Sequence, residues 1–285
     1  MRVGRIPYVN CYPVYGAIDR GIVPCHAEIV DGVPSALNAQ MAVGTLDVSV
    51  ISAVEYARDA ARYLLLPDLA ISCDGPVRSV MLFAKRPASE LSGRRVLVSR
   101  SSMTSVALLE LLFEHVWDAK PTFVPADAEM TDIAGFAGDD HEARLVIGDA
   151  ALRLGAHRHE SGGREHLLDR LEYRYAYDLG TEWKGWTDLP FVFAVWVAQR
   201  TTDARAALDV HASLISSRNW GLDHLEPLAA QAALATGVGK AACLTYLSGL
   251  DYGLSYGHLA GLTEFFRRLV VAGRVPNGSL SFIAA

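Results

Sequence analysis

The chain has 285 residues, 51% of them hydrophobic and 20% charged, which excludes disorder as its main state and leaves room for one large or two modest domains. The formal net charge is −6, so nucleic acid is excluded as a general partner, while small anionic ligands stay open. Mean hydropathy is +0.19, yet no apolar run approaches the roughly 18 residues of a membrane span.

The first third alternates strands and helices. Val3 to Tyr8 is a short β-rich run, and Asn10 follows it as a cap for Tyr12 to Arg20, which Gly21 ends. Ala27 to Val30 reads as a second strand. Val33 opens a helix with Leu37, Met41 and Val43 near one face, stopped by Gly44. Leu46 to Ile51 is a continuous apolar strand of the kind buried on both faces of a parallel sheet. Ser52 then caps Ala53 to Arg62. This order predicts an α/β domain with a parallel sheet.

Ser79 to Lys85 is a strong strand, and Pro87 to Gly93 a connection. A second βα unit has its strand at Arg95 to Val98, a polar turn at Ser99 to Ser105 and a helix at Val106 to Val116. Thr122 to Pro125 and Arg144 to Ile147 are further strands. No element is assigned to the polar stretch from Asp127 to Glu142, and His157 to Glu165 reads as a solvated loop. Tyr173 to Leu179 and Phe191 to Ala198 are strands. Helices alone follow: Ala204 to Ser216, Asp223 to Ala235, Lys240 to Leu247, and an amphipathic one carrying Leu259, Leu262, Phe266, Leu269 and Val270 up to Gly273.

Two very apolar strands, Ser79–Lys85 and Phe191–Ala198, bracket the middle of the chain. The topology they predict has residues 1–86 plus 190–285 as one lobe and 87–189 as the other. Two hinge strands join the lobes, with a ligand cleft between them.

The four cysteines, Cys11, Cys25, Cys73 and Cys243, are widely spaced and form neither zinc pairs nor a disulfide framework, so they read as reduced thiols. The start, MRVGRIPYVN, has no apolar h-region and no small-residue cleavage site, and a cytoplasmic chain is expected. The nine histidines are scattered, and no metal site is expected from them. No GxSxG elbow surrounds a serine, and Gly237-Val238-Gly239-Lys240 follows a helix rather than a strand, against a phosphate loop.

The richest chemistry lies in Ser99-Arg100-Ser101-Ser102-Met103-Thr104-Ser105. Four serines and a threonine between a strand and a helix exceed what one cap needs. Their hydroxyls, with free amides at the helix start, suit a carboxylate or phosphate. Asn10 holds the equivalent place in the other lobe, as cap or ligand group. Trp183, Trp186, Phe191, Phe193 and Trp196 divide between core and cleft.

Arg5-Ile6-Pro7-Tyr8-Val9-Asn10, Gly32-Val33-Pro34, Asp47-Val48-Ser49 through Glu55-Tyr56, Ser79-Val80, Thr104-Ser105, Leu189-Pro190-Phe191-Val192-Phe193-Ala194 and Tyr246-Leu247 through Leu250-Tyr252 resemble the chorismate dehydratase family of the futalosine route to menaquinone. The likeness runs in order over almost the whole chain. It implies an α/β fold of the type II periplasmic-binding-protein kind and dehydration of chorismate to 3-[(1-carboxyvinyl)oxy]benzoate, with no metal or redox cofactor. By the same resemblance, Asn10 and Ser79 are the polar groups near the reacting ring, and Thr104, Ser105 and Ser102 bind a substrate carboxylate. The substrate's own enolpyruvyl carboxylate takes the proton. Asp149, after a strand of the second lobe, is the alternative base or a loop cap. Two other readings stay open. One is the sister enzyme making 1,4-dihydroxy-6-naphthoate, which resembles a histidine-dependent lyase. The other is a non-catalytic solute-binding protein for a small anion. Oligomeric state is not legible.

Overall fold

The computed structural model describes residues 1–126, 140–160 and 172–284, and of residues 157–160 the backbone alone. β1 (Arg2–Arg5), β2 (Glu28–Asp31) and β3 (Val48–Ser52) run parallel, with α1 (Tyr12–Asp19) and α2 (Pro34–Ala42) between them. Leu37 and Met41 are buried as their spacing requires, but Val43 is 73% exposed. The helix has ended there: Val43 is its C-cap, and Gly44 turns the chain away at φ 75°.

α3 (Ala53–Arg58) is shorter than expected, and Ser52 caps it by accepting a bond from the Glu55 amide at 3.1 Å. β4 (Tyr63–Cys73) was not legible in the sequence, because Pro67-Asp68 splits it like a turn. Those two residues fall where the register with its neighbour slips, and Asp68 has φ 54°. A bulge on an edge strand is where proline and a left-handed residue fit a sheet.

The chain then leaves for a second sheet. It comprises β5 (Val80–Ala84), β6 (Arg95–Ser99), β7 (Thr122–Ala126), β8 (Ala143–Ile147) and β9 (Tyr175–Asp178), in the order β7-β6-β8-β5-β9. α4 (Met103–His115), α5 (Gly148–Glu160) and α6 (Leu179–Thr187) belong to the same stretch. The strand expected at Ser79–Lys85 is thus β5, paired on both sides inside the second sheet, and the expected boundary at residue 86 falls after it. Residues 157–160 of the expected solvated loop continue α5, while 161–165 lie outside the described residues, as does the unassigned stretch from 127 to 139.

β10 (Phe191–Gln199) returns antiparallel to both β3 and β4 and completes the order β2-β1-β3-β10-β4. The expected parallel sheet is therefore mixed. The connectivity requires it: β4 runs toward the second sheet and β10 comes back from it. Every residue of β10 is buried. Trp183, on α6, is fully buried edge-on against Phe191 and Phe265, so this part of the aromatic cluster is core at the return crossing.

The C-terminal helices are α7 (Ala204–Asp223), α8 (Leu225–Thr236), α9 (Lys240–Ser248) and α10 (Tyr256–Val271). α7 outruns its expected end at Ser216, because Gly221 lets it lie on the start of α1. A Cβ at Gly221 would stand 2.1 Å from the Pro13 carbonyl oxygen. Such close approach is open to glycine alone.

Candidate active site

The cleft lies where the chain passes between the sheets. Its floor is Val77, Ser79 and Val80, at the entry to β5. The first sheet supplies Tyr8, Asn10 and Ser52, and the second Ser102, Ser105 and Gly148. Phe193 and Ala194 of β10 close it. Four of the expected site residues therefore share one cavity: Asn10, Ser79, Ser102 and Ser105. Thr104 and Asp149 stand just outside it.

Ser79 is 3% exposed. Its hydroxyl donates to the Val77 carbonyl at 3.3 Å, and the buried Tyr246 hydroxyl of α9 hydrogen-bonds it from beneath. Burial raises the Tyr246 phenol well above its ordinary range, so it stays protonated and can donate. The Ser79 carbonyl accepts the Gly148 amide at 2.8 Å, which ties the crossing segment to the start of α5.

Asn10 sits in a 3-10 turn, Val9–Cys11, between β1 and α1. It does not cap α1. The N-cap is Cys11, with no side-chain bond, and Pro13 in the first turn already removes one amide that needs a partner. The Asn10 Oδ1 is instead buried with no hydrogen-bond partner, an acceptor facing a donor that the protein does not supply. A buried unpaired acceptor is costly, and binding a ligand donor recovers that cost.

Asp149 opens α5 and reaches across the cleft. Its Oδ1 accepts the Val9 amide, next to Asn10, at 3.2 Å. Burial pushes its carboxyl up to about 6, with the Val9 bond and Arg153 acting the other way. Gly148 beside it has φ 62°, and a Cβ there would meet the Tyr8 ring at 3.1 Å. Asp149 thus works as a latch between the lobes.

At the other wall Ser102 caps α4. Its Oγ accepts the Ser105 amide at 3.3 Å and donates to the Ser105 hydroxyl at 2.7 Å. The pair faces the cavity at the positive end of a 13-residue helix, an arrangement that attracts a carboxylate. Thr104 faces away. It is 1% exposed, and its hydroxyl accepts the Val54 amide of the first lobe at 3.2 Å. Of the three hydroxyl residues expected at this turn, Ser102 and Ser105 line the cavity and Thr104 does not, because successive residues of a helix start point in different directions. Ser52 was expected only as a cap, yet it lines the cavity too, fixed by Asn38 Nδ2 at 3.1 Å.

The described lining holds no Lys, Arg, His, Asp or Glu. An anion there meets hydroxyls, one carboxamide, the Tyr8 phenol and helix ends. Among the described residues no three His, Cys, Asp or Glu side chains group so as to hold a metal. None of the described helices is long and apolar enough to cross a membrane.

Solved structures share this architecture. A protein from Archaeoglobus fulgidus superposes with a TM-score of 0.76 at 18% identity, over 96% of this chain and 98% of that one. The alkanesulfonate-binding protein SsuA from Xanthomonas axonopodis pv. citri gives 0.66 at 15% identity, over 98% and 95%. The fold is therefore the two-lobed periplasmic-binding-protein type. In sequence, the chain is 32% identical to the chorismate dehydratase of Thermus thermophilus across 92% of its length and 95% of the relative's. It is 27% identical to that of Campylobacter jejuni across 68% and 66%. A family model described as menaquinone biosynthesis matches residues 1–270, and with these relatives it shows that the chain belongs to the menaquinone biosynthesis family.

Proposed function

We propose that the chain is a chorismate dehydratase, a hydro-lyase that converts chorismate to 3-[(1-carboxyvinyl)oxy]benzoate and water. The observation that carries this reading is a cavity of neutral donors with one orphaned acceptor, Asn10 Oδ1, in a chain related end to end to known chorismate dehydratases. Chorismate is a dianion with two ring carbons ready to aromatise. Its C3 hydrogen is vinylogous to the ring carboxylate, so its loss leaves a delocalised anion, and the C4 hydroxyl then departs. The protein must hold the dianion, exclude water and orient the leaving group.

Ser102, Ser105 and the first amides of α4 receive one carboxylate. Asn10 Oδ1 accepts a hydrogen bond from the C4 hydroxyl and fixes the direction of that C–O bond. Ser79, backed by Tyr246, stands at the ring face opposite and turns its one O–H from the Val77 carbonyl to the substrate. The proton leaves C3 for the substrate's own enolpyruvyl carboxylate, and the carboxylic acid so formed passes it to the C4 oxygen as the C4–O bond breaks, so that the leaving group departs as water. Support for that acceptor is the described lining, where the phenol of Tyr8 is the one titratable side chain. The lobe division that suits this cleft has residues 1–73 and 191–285 on one side and 80–187 on the other, with crossings at 74–79 and 188–190. A cytoplasmic setting fits a step that starts from a central biosynthetic acid.

The test is incubation of the purified protein with chorismate, with mass detection of a product one water lighter. No product from chorismate, with turnover of cyclic dehypoxanthinyl futalosine, would replace this reading by the sister enzyme. Binding without turnover of either would make the protein a receptor.

Asp149 gives a separate pH prediction. Its folded carboxyl titrates near 6, above the ordinary aspartate value of about 3.9. Wild-type protein is therefore favoured at low pH and loses that gain as pH rises through about 6, where the buried carboxyl ionises. Asp149→Asn keeps an acceptor for the Val9 amide and carries no charge. Its melting temperature is expected to exceed wild type by a few degrees at pH 7, with the gap closing toward pH 4, and kcat is expected to stay within about fivefold. A pH-independent gap in melting temperature contradicts the raised titration of the Asp149 carboxyl. Loss of turnover would make Asp149 the proton acceptor.

A further inference from the structure

We propose that Asp178 is the positioning residue for the reacting face of the cleft, a clamp that fixes Ser79 and the start of α5 from behind. This rests on the dehydratase reading above. Asp178 ends β9 and pairs with Met81 across the sheet. One carboxylate serves two segments far apart in sequence. Its Oδ1 accepts the amides of Gly180 and Thr181 at 3.0 and 3.1 Å, which caps α6. The same carboxylate accepts the Val77 amide at 3.0 Å through Oδ1 and the Arg78 amide at 2.6 Å through Oδ2.

Capping α6 needs one oxygen and explains only half of these bonds. The other half holds the crossing segment in a conformation it would not choose. Arg78 has φ 60°, a left-handed backbone that a residue with a long side chain adopts only when its surroundings impose it. That conformation sets the direction of the next residue, Ser79. From Ser79 the restraint passes on: its carbonyl accepts the Gly148 amide, and the Asp149 carboxylate next in the chain accepts the Val9 amide beside Asn10. Asp178 touches no substrate. It sets where the groups that do are found.

The experiment uses Asp178→Ser in the full chain. A serine hydroxyl still caps α6, but one oxygen cannot serve the crossing segment as well. Amide hydrogen exchange of a peptide spanning 74–80 is expected to quicken about tenfold or more, with peptides of β6 and β10 unchanged. On chorismate, kcat is expected to fall about tenfold with KM within about twofold, as for a group that acts on the transition state. In a Ser79→Ala background the same substitution is expected to lower kcat by only about threefold, since the hydroxyl it positions is gone and the backbone link toward Asn10 alone is left. Should Asp178→Ser not fold, Asp178→Asn takes its place. It keeps the oxygen that serves Val77 and α6, but turns an N–H toward the Arg78 amide. Wild-type exchange at 74–80, or effects of Asp178→Ser and Ser79→Ala that multiply in full, would overturn the proposal. If the wild-type protein does not dehydrate chorismate, the functional reading falls and the exchange result alone decides the clamp.

Discussion

Asn10→Ala is expected to lower kcat and kcat/KM together by about a hundredfold, or about 2.7 kcal/mol of transition-state stabilisation. The reason is the state of its carboxamide. Oδ1 is buried and unpartnered in the protein alone, so no internal bond is lost when it is removed. The fold is therefore expected to tolerate the change, and the melting temperature to stay level or rise slightly, because an unsatisfied buried acceptor disappears. In the proposed reading ground-state binding falls mainly to the other wall, to Ser102 and Ser105, so KM is expected to move little. What is lost is the aim of the C4–O bond at the moment it breaks. Asn10→Asp is a sharper probe. It adds a negative charge beside Asp149 and the substrate dianion, and is expected to fall below Asn10→Ala in turnover. Steady-state dehydration of chorismate by the two variants, with thermal melts, checks this. Wild-type kcat in Asn10→Ala would remove Asn10 from the reaction.

The second large effect is expected on binding. Replacing Ser102 and Ser105 together by alanine removes the two cavity-lining hydroxyls of the α4 start, and with them the cap of α4. Hydrogen bonds to a charged group contribute about 1.5–3 kcal/mol each. KM for chorismate is therefore expected to rise at least about a hundredfold, with kcat within a few fold. The melting temperature also falls, since loss of a serine cap costs about 1 kcal/mol. Thr104→Ala is the control. Its hydroxyl is spent on the Val54 amide across the lobes, so it is expected to change KM by less than about threefold. Equal damage from Thr104→Ala and the double variant would mean that the α4 start acts through lobe contact and not through the substrate carboxylate.

That Asn10 and Ser79 lie together was implied by the resemblance to the family; the residue pattern itself determined the alternation of β1 to β3 with their helices and the serine-rich start of α4. These are local matters: apolar runs, capping residues and glycine stops act within a few residues of where they stand. Only the tertiary structure decided the rest. β4 was hidden because Pro67-Asp68 reads as a turn, and only the neighbouring strand shows it to be a bulge. α6 was hidden because its glycines and tryptophans do not favour a helix, although Asp178 stood before it as a cap. The direction of β10 follows from the path between two sheets, which no local pattern encodes. The same holds for the site. Thr104 and Ser105 are adjacent in sequence, yet one bridges the lobes and the other faces the cavity. Asp149, readable in the sequence as an alternative base or a loop cap, is met by the Val9 amide, 140 residues away in sequence. Those assignments depend on which backbone amides lie opposite once the lobes meet, and that is a property of the packed chain, not of any segment in it.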